Sequence, residues 1–159
     1  MRAIDASSII YAWDNYPITH FPKLWGWLGE EVEAEALYIP NAAFAEVGHK
    51  VPDCCAWLID NGCEVVKETN QILQVALTIK QLLAIQNDQY HPDGVDESDV
   101  LIIATAKANG HALVSNESRQ PNLPQNLKRM KIPAVCGLSG VDVTCNNFIE
   151  YFKASGKVF

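Results

Sequence analysis

The chain has 159 residues and a hydrophobic content of 48 %, which fits one folded domain over residues 1–159 and excludes a disordered chain. Its apolar runs are far shorter than the roughly 20 residues of a membrane span, and Asp5 interrupts the N-terminus before any apolar stretch develops, so we expect a cytoplasmic protein without a signal peptide. The formal net charge of −7 disfavours binding to nucleic acid unless a local basic patch or bound cations reverse the field.

The first half of the chain alternates between short apolar strands and helices. Pro22 marks the start of one helix, because the first helical turn has no N–H partner to lose. In chain order the sequence predicts a strand over residues 2–5, a turn at 6–8 that opens a helix, the helix from Pro22, a strand over 36–39, a helix over 42–49 with Asn41 as its N-cap, a short helix capped by Asp53 that ends at Asn61, and a strand over 63–66.

The second half opens with the strongest helical pattern of the sequence, over residues 70–86. Apolar residues recur there at a spacing of three to four, which places them on one helix face: Ile72, Val75, Ala76, Ile79, Leu82 and Leu83. The remaining predictions are a loop at 91–94, a helix over 99–109 with Ser98 as its N-cap, strands over 112–115 and 132–135, and a final helix that Thr144 caps and that runs to about Ser155.

The order of these elements indicates the fold class. Strands that alternate with helices predict βαβ units, and these build a mainly parallel sheet covered by helices on both faces. We therefore expect a three-layer α/β/α fold.

Four acidic residues lie near strand ends in this scheme. Asp5 follows the first strand, and Glu46 lies in the helix after the second. Asp99 opens the helix before the 112–115 strand, and Glu117 follows that strand by two residues. Sites in open parallel sheets gather beyond the carboxyl ends of the strands. Four residues far apart in sequence are thus expected to converge on one pocket.

Such a set suits a hard divalent cation. Mg²⁺ prefers oxygen ligands, keeps several waters and is usually held by one or two carboxylates. We predict Asp5 and Asp99 as direct ligands, with Asp96 a possible further ligand one helical turn before Asp99. For Glu46 and Glu117 we expect one of three roles: to bind a second ion, to hold waters of the metal or to position the nucleophile. The five cysteines lack the paired spacing of a zinc site.

Each acid also has an ordinary structural interpretation. Asp5 by itself fits a turn residue that hydrogen-bonds its own backbone. Asp99 fits a helix N-terminus, where a negative charge stabilises the helix dipole by roughly 0.3–1 kcal/mol. Glu46 fits a solvated helix face. The metal hypothesis therefore depends on the set and its order.

The acids stand in segments that resemble the PIN-domain ribonucleases, and the resemblance spans nearly the whole chain. The carrying segments are I-D-A-S at residues 4–7, F-A-E-V at 44–47, S-D-V-L-I-I-A-T-A at 98–106 and L-V-S-N-E at 113–117. F-P-K-L-W at 21–25 and K-I-P-A-V-C at 131–136 resemble a PIN-like subgroup of DUF4411 type.

The resemblance implies a compact α/β fold, dependence on Mg²⁺ or Mn²⁺, and endonucleolytic cleavage of RNA. Many bacterial members are VapC-type toxins of type II toxin–antitoxin pairs, silenced by an antitoxin protein, and homodimers are common. The three central acids map onto Asp5, Glu46 and Asp99, and Glu117 stands where the family commonly has Asp. The resemblance also implies supporting or substrate-contacting roles for polar residues near the acids: Ser7, Asn116 and Thr105.

Two other functions remain open from the sequence. The first is a non-catalytic interaction module that kept the fold, since Glu replaces Asp at residue 117 and the net charge is acidic. The second is a phosphotransfer enzyme such as a phosphatase, but that class needs a nucleophilic Asp followed closely by another Asp. Here Ala6 and Ser7 follow Asp5.

The densest basic cluster comprises Lys128, Arg129 and Lys131, with Arg119 upstream. These residues either contact phosphate or form a solvated surface.

Overall fold

Five short parallel strands form the centre of the computed structural model, which describes residues 1–159. Their order in the sheet is β3-β2-β1-β4-β5, so β1 lies in the middle with β2 and β4 on either side. Residues 2–4 of β1 pair with residues 112–114 of β4, and Ala3 pairs with Tyr38 of β2. The strands are β1 (Arg2–Ile4), β2 (Leu37–Pro40), β3 (Val65–Val66), β4 (Ala112–Val114) and β5 (Cys145–Asn146).

Eight α-helices flank the sheet and confirm the predicted three-layer α/β/α fold. They are α1 (Ala6–Asn15), α2 (Pro22–Glu33), α3 (Asn41–Lys50), α4 (Pro52–Asp60), α5 (Asn70–Leu82), α6 (Glu97–Ala108), α7 (Ile132–Cys136) and α8 (Phe148–Ala154). The central strands are apolar because helices bury both of their faces: Ile4, Ile39 and Leu113 are each at most 2 % exposed. No helix has both the length and the apolar character that crossing a membrane would require.

Helix α5 follows its predicted apolar face but ends at Leu82, four residues before the predicted end. Thr69 caps its start by accepting a hydrogen bond from the Ile72 amide at 3.2 Å. At its end Ala84 adopts a left-handed backbone with φ 56°, and the Ile85 amide reaches back to the Lys80 carbonyl. This closing turn terminates the helix.

Two predictions for the C-terminal part of the chain were wrong. Residues 132–135, predicted as a strand, form α7, in which Pro133 occupies the first helical turn. A proline in a central strand would lack a ladder donor, so a helix suits this segment better. The predicted final helix is present as α8 and ends at Ala154, but its predicted start was wrong: Cys145–Asn146 forms β5, and the N-cap is Asn147, not Thr144.

Three predicted caps were wrong as well. The N-cap of α3 is Pro40, and the side chain of Asn41 donates instead to Glu68 at 3.2 Å. Helix α4 begins at Pro52, which places Asp53 inside its first turn. Helix α6 begins at Glu97 with Asp96, not Ser98, as its N-cap, because only Asp96 can exchange hydrogen bonds with Asp99 three residues later.

Candidate active site

Asp5 lies at the point in the sheet where the order of the strands reverses. From β1 the chain builds outward through β2 and β3 on one side and through β4 and β5 on the other. The carboxyl ends of β1 and β4 therefore border the crevice in which open parallel sheets bind ligands. Asp5 directly follows β1 and Ser115 directly follows β4, and the Asp5 amide donates to the Val114 carbonyl at 2.9 Å.

The Asp5 carboxylate is held by hydroxyl groups rather than by its own helix. It is 2 % exposed and stands at the N-cap of α1, yet its side chain makes no capping hydrogen bond. Its Oδ2 atom accepts hydrogen bonds from Ser7 Oγ at 2.5 Å and Ser115 Oγ at 2.9 Å. Its Oδ1 atom accepts no hydrogen bond from the protein, so one oxygen is fixed and the other is available to a ligand.

Asn116 ties the surrounding segments to this carboxylate. Its backbone amide donates to Ser7 Oγ at 2.9 Å. Its side-chain Oδ1 accepts from Ser8 Oγ at 2.7 Å and from the Phe148 amide at 2.8 Å. Asn116 thus joins the end of β4 to α1 and to the start of α8.

Asp99 and Asp96 form a reciprocal cap at the start of α6. Asp96 Oδ1 accepts from the Asp99 amide at 2.9 Å, and Asp99 Oδ2 accepts from the Asp96 amide at 3.0 Å. The ordinary structural role is therefore real for Asp99. It occupies only one carboxylate oxygen, which leaves Oδ1 free of protein donors.

The charges of the predicted acids affect the pKa values of Asp5 and Asp99. Burial is the main cause that raises the pKa of Asp5 from its ordinary 3.8 to about 6, and the negative charges of Glu46 and Glu117 add to it. Burial likewise raises the pKa of Asp99 to about 7, with contributions from the charges of Asp96, Asp5 and Glu117. Asp5 therefore experiences the charges of Glu46 and Glu117, and Asp99 experiences those of Asp5 and Glu117.

Glu46 has a cationic partner that the sequence analysis did not identify. Lys50, one helical turn later, donates to Glu46 Oε1 at 2.5 Å. The pKa of Lys50 is raised, mainly by this hydrogen bond and also by the charges of Glu46, Glu117 and Asp5. Lys50 thus partly neutralises the acid cluster.

The other predicted polar residues differ in position. Ser7 and Asn116 belong to the network around Asp5. Thr105 is 2 % exposed, and its hydroxyl donates to the Leu101 carbonyl within α6, so the structure gives it no contact with the acids. Ser115 and Ser8 also belong to this network but were not predicted from the sequence. Only the position of Ser115 directly after the 112–114 strand could have indicated its role.

As the side chains stand, no set of three or more His, Cys, Asp or Glu side chains is close enough to hold a metal ion. The donors that are available still fit a hard cation. Magnesium needs only one or two protein carboxylates because water fills its other positions. Asp5 and Asp99 each have one oxygen without a protein donor. Burial disfavours the charged form of both carboxylates, and a cation held by them would offset that cost.

Sequence comparison identifies the family but no described relative. The model of a family described as "Domain of unknown function (DUF4411)" matches residues 3–159. No curated protein is significantly similar in sequence to this chain.

Two solved structures share the fold. One is VapBC2 from Rickettsia felis bound to a DNA fragment from their promoter, with 15 % identity and a TM-score of 0.53. The other is DNA-bound VapBC from Salmonella typhimurium, with 15 % identity and a TM-score of 0.56. Each similarity covers 92 % of this chain and 97 % of the other. At this identity the comparison establishes the fold alone.

Proposed function

The chain belongs to the DUF4411 family, and from its fold and its acid cluster we propose that it is a metal-dependent endoribonuclease. The observation that carries the proposal is the convergence of the buried Asp5 and the half-buried Asp99, two acids of raised pKa from distant parts of the chain, at the carboxyl end of the sheet. Perturbed carboxylates at such a position are typical of catalytic sites. The likeness to the VapBC structures supports a nuclease of the PIN type.

In this proposal Asp5 and Asp99 hold Mg²⁺ or Mn²⁺ through their free oxygens, with Asp96 and Glu117 as possible further ligands. When bound, the cation lowers the pKa of a water molecule and neutralises the charge that develops on the phosphodiester. Ser7 and Ser115 keep Oδ2 of Asp5 in place, so that its other oxygen faces the ligand.

Glu46 and Glu117 act on the water and the substrate. Glu46 is half-buried and forms an ion pair with Lys50. Glu117 lies two residues after Ser115, and its backbone amide donates a hydrogen bond to the Ser115 hydroxyl at 3.3 Å. We assign them to hydrogen bonds with the attacking water, whose proton a carboxylate oxygen accepts. Lys50 then offers its ammonium group to a phosphate oxygen while it remains beside Glu46.

We also propose that the protein is the toxin of a toxin–antitoxin pair and is silenced by a separate antitoxin chain. The likeness to two VapBC structures supports this partner. A homodimer stays a prediction.

A second candidate is an interaction module without activity. The Glu46–Lys50 ion pair and the absence of a ready set of three metal-binding side chains favour it. It differs from the nuclease in one measurable way, because it binds neither Mg²⁺ nor Mn²⁺ at Asp5 and Asp99.

The deciding experiment incubates purified wild type, Asp99→Asn and Asp60→Asn with total cellular RNA in Mg²⁺, in Mn²⁺ and in EDTA. Asp60→Asn is the matched control, since it removes the same charge from an exposed position at the end of α4. We expect metal-dependent cleavage by wild type and Asp60→Asn, and a rate lower by more than about 100-fold for Asp99→Asn, because losing a direct ligand should exceed the effect of losing its support.

Equal cleavage by Asp99→Asn would contradict the site assignment. If no protein cleaves RNA, calorimetric titration with Mg²⁺ and Mn²⁺ decides between the two candidates, and the absence of binding supports the interaction module.

A further inference from the structure

The charges of this acidic chain are unevenly distributed. The segment from Ser118 to Val141 contains four of the 12 Lys and Arg residues and none of the 19 Asp and Glu residues. Its cations are Arg119, Lys128, Arg129 and Lys131, and we call residues 118–131 the basic arm. A positive segment on a chain of net charge −7 is a local reversal of the field.

Both ends of the basic arm are attached beside the acid cluster. Its first residue directly follows Glu117. Near its other end, the Met130 carbonyl accepts a hydrogen bond of 2.9 Å from the amide of Val95, the residue before Asp96. Gly94 makes this attachment possible, because a Cβ atom there would lie 1.7 Å from the Lys128 carbonyl oxygen. The arm therefore runs between the loop that carries Glu117 and the loop that leads into α6.

Gln120 closes the arm into a defined shape. Its Nε2 donates to the Arg129 carbonyl at 3.0 Å, and its Oε1 accepts the Lys131 amide at 2.8 Å. Gln120 also lines two concavities. One, of about 430 Å³, includes Arg119 in its lining, and the other, of about 610 Å³, includes Arg129 and Lys131.

Two of the four cations are free to bind an external anion. Lys128 and Lys131 form no ion pair within the protein, although both side chains are only partly exposed. Arg129 reaches Asp93 only at 3.5 Å, whereas Arg119 is committed to Glu150 at 2.5 Å. Lys131 lines the larger concavity, and Lys128 is three residues away along the arm. Lys and Arg side chains of this kind are common contacts to backbone phosphates.

We propose that the basic arm binds backbone phosphates of single-stranded RNA on one side of the bond that is cleaved, with Lys128 and Lys131 as the principal contacts. The inference rests on the proposed function and names the surface that holds its substrate. The position of the arm favours RNA over an acidic protein segment. An occupant anchored between Glu117 and Asp96 passes over the acid cluster, which places a phosphodiester where the proposed chemistry occurs.

The test measures binding without cleavage. A fluorescein-labelled single-stranded oligouridylate is titrated with the full chain in EDTA, and fluorescence anisotropy is recorded over a series of KCl concentrations. Three variants are compared with wild type: Lys128→Gln/Lys131→Gln, Lys128→Arg/Lys131→Arg, and Lys153→Gln/Lys157→Gln. The last is the matched control, since it removes the same charge from exposed positions at and beyond the end of α8.

We expect Lys128→Gln/Lys131→Gln to bind about tenfold more weakly and to lower the slope of log K against log [KCl] by about 1.4, which is the loss of two phosphate contacts on a single strand. The Arg variant should retain wild-type binding, and the control should change it little. Thermal unfolding of each variant establishes that it is folded.

If the control Lys153→Gln/Lys157→Gln weakens RNA binding as much as Lys128→Gln/Lys131→Gln does, the effect comes from net charge alone and the proposed binding role of the basic arm is wrong. A wild type that does not bind the RNA also overturns it, and cleavage of RNA with Mg²⁺ by the same sample shows that the nuclease proposal survives. If Lys128→Gln/Lys131→Gln binds RNA as wild type does but no longer binds an oligoglutamate peptide that wild type binds, the arm belongs to an acidic protein partner instead.

Discussion

Asp5 and Asp99 belong to one acid cluster, but the protein holds the two carboxylates in different ways. Asp5 is 2 % exposed, and its Oδ2 atom accepts hydrogen bonds from the hydroxyl groups of Ser7 and Ser115. Asp99 is half-buried, and its Oδ2 atom accepts a hydrogen bond from the backbone amide of Asp96, the N-cap of its own helix.

Asp5 is held by contacts between distant parts of the chain, whereas Asp99 is held by a contact within its own helix terminus. Ser115 lies 110 residues from Asp5 in sequence, whereas the cap joins Asp96 and Asp99 across three residues. Asp5 therefore depends on the β1–β4 pairing, and Asp99 depends on the start of α6. Substitutions at each end of the site should affect different properties.

The largest effect on stability is expected from removing the buried charge of Asp5. Because its pKa is raised in the folded protein, the folded state retains a proton that the unfolded chain has lost between about pH 4 and pH 6. The free energy of unfolding therefore falls as the pH rises through this window, and stays lower above it. In EDTA at pH 8, Asp5→Asn should relieve up to about 3 kcal/mol, or raise Tm by roughly 5–10 °C.

Thermal unfolding of wild type, Asp5→Asn and Asp99→Asn at pH 5 and pH 8 checks this expectation. The gain of Asp5→Asn should shrink at pH 5, and Asp99→Asn should gain less at pH 8 because it is more exposed and forms a cap. A Tm of Asp5→Asn below that of wild type at pH 8 would mean that the Asp5 carboxylate stabilises the fold.

Removing the Ser115 hydroxyl should affect metal binding, since Ser115 positions Asp5. Ser115→Ala leaves Asp5 with one hydroxyl donor, which further disfavours its charged form. We expect Mg²⁺ affinity to fall about 10–100-fold and its pH dependence to move to higher pH. Calorimetry over a pH series measures both quantities.

Ser118→Ala is the control for Ser115→Ala, because Ser118 is exposed and makes no side-chain hydrogen bond. If both variants bind Mg²⁺ as wild type does, Ser115 has no positioning role. A loss of affinity without a shift in pH dependence would indicate a general structural effect instead.

The smallest effect is expected at the local end of the site. Asp96→Ala removes the acceptor for the Asp99 amide and should lower the free energy of unfolding by about 1 kcal/mol. Asp96→Asn keeps an acceptor and should remain close to wild type. Urea unfolding of both variants tests the cap, and equal losses would assign the effect of Asp96 to its charge.

Much of the fold follows from local patterns in the sequence. The apolar spacing predicted the start and the buried face of α5, and Pro22 predicted the start of α2. Alternating elements predicted the parallel three-layer fold. Residues 132–135 were misassigned because a short apolar run has no period by which a strand differs from a buried helix. The end of α5 depends on a left-handed Ala84, which no composition signal marks.

The identity of the candidate acids follows from the amino-acid sequence, because it sets their chemistry and their order relative to the strands. How these acids are held follows from the packing of the strands and helices. Strand β5 exists as two residues, Cys145 and Asn146, because β4 offers them ladder partners. Ser115 reaches Asp5 because β4 pairs with β1, and the backbone of Lys128 is held against the loop before α6 because Gly94 lacks a side chain. Hydrogen bonds and charges act over distances in space, so residues far apart in sequence form a site only when folding brings them together.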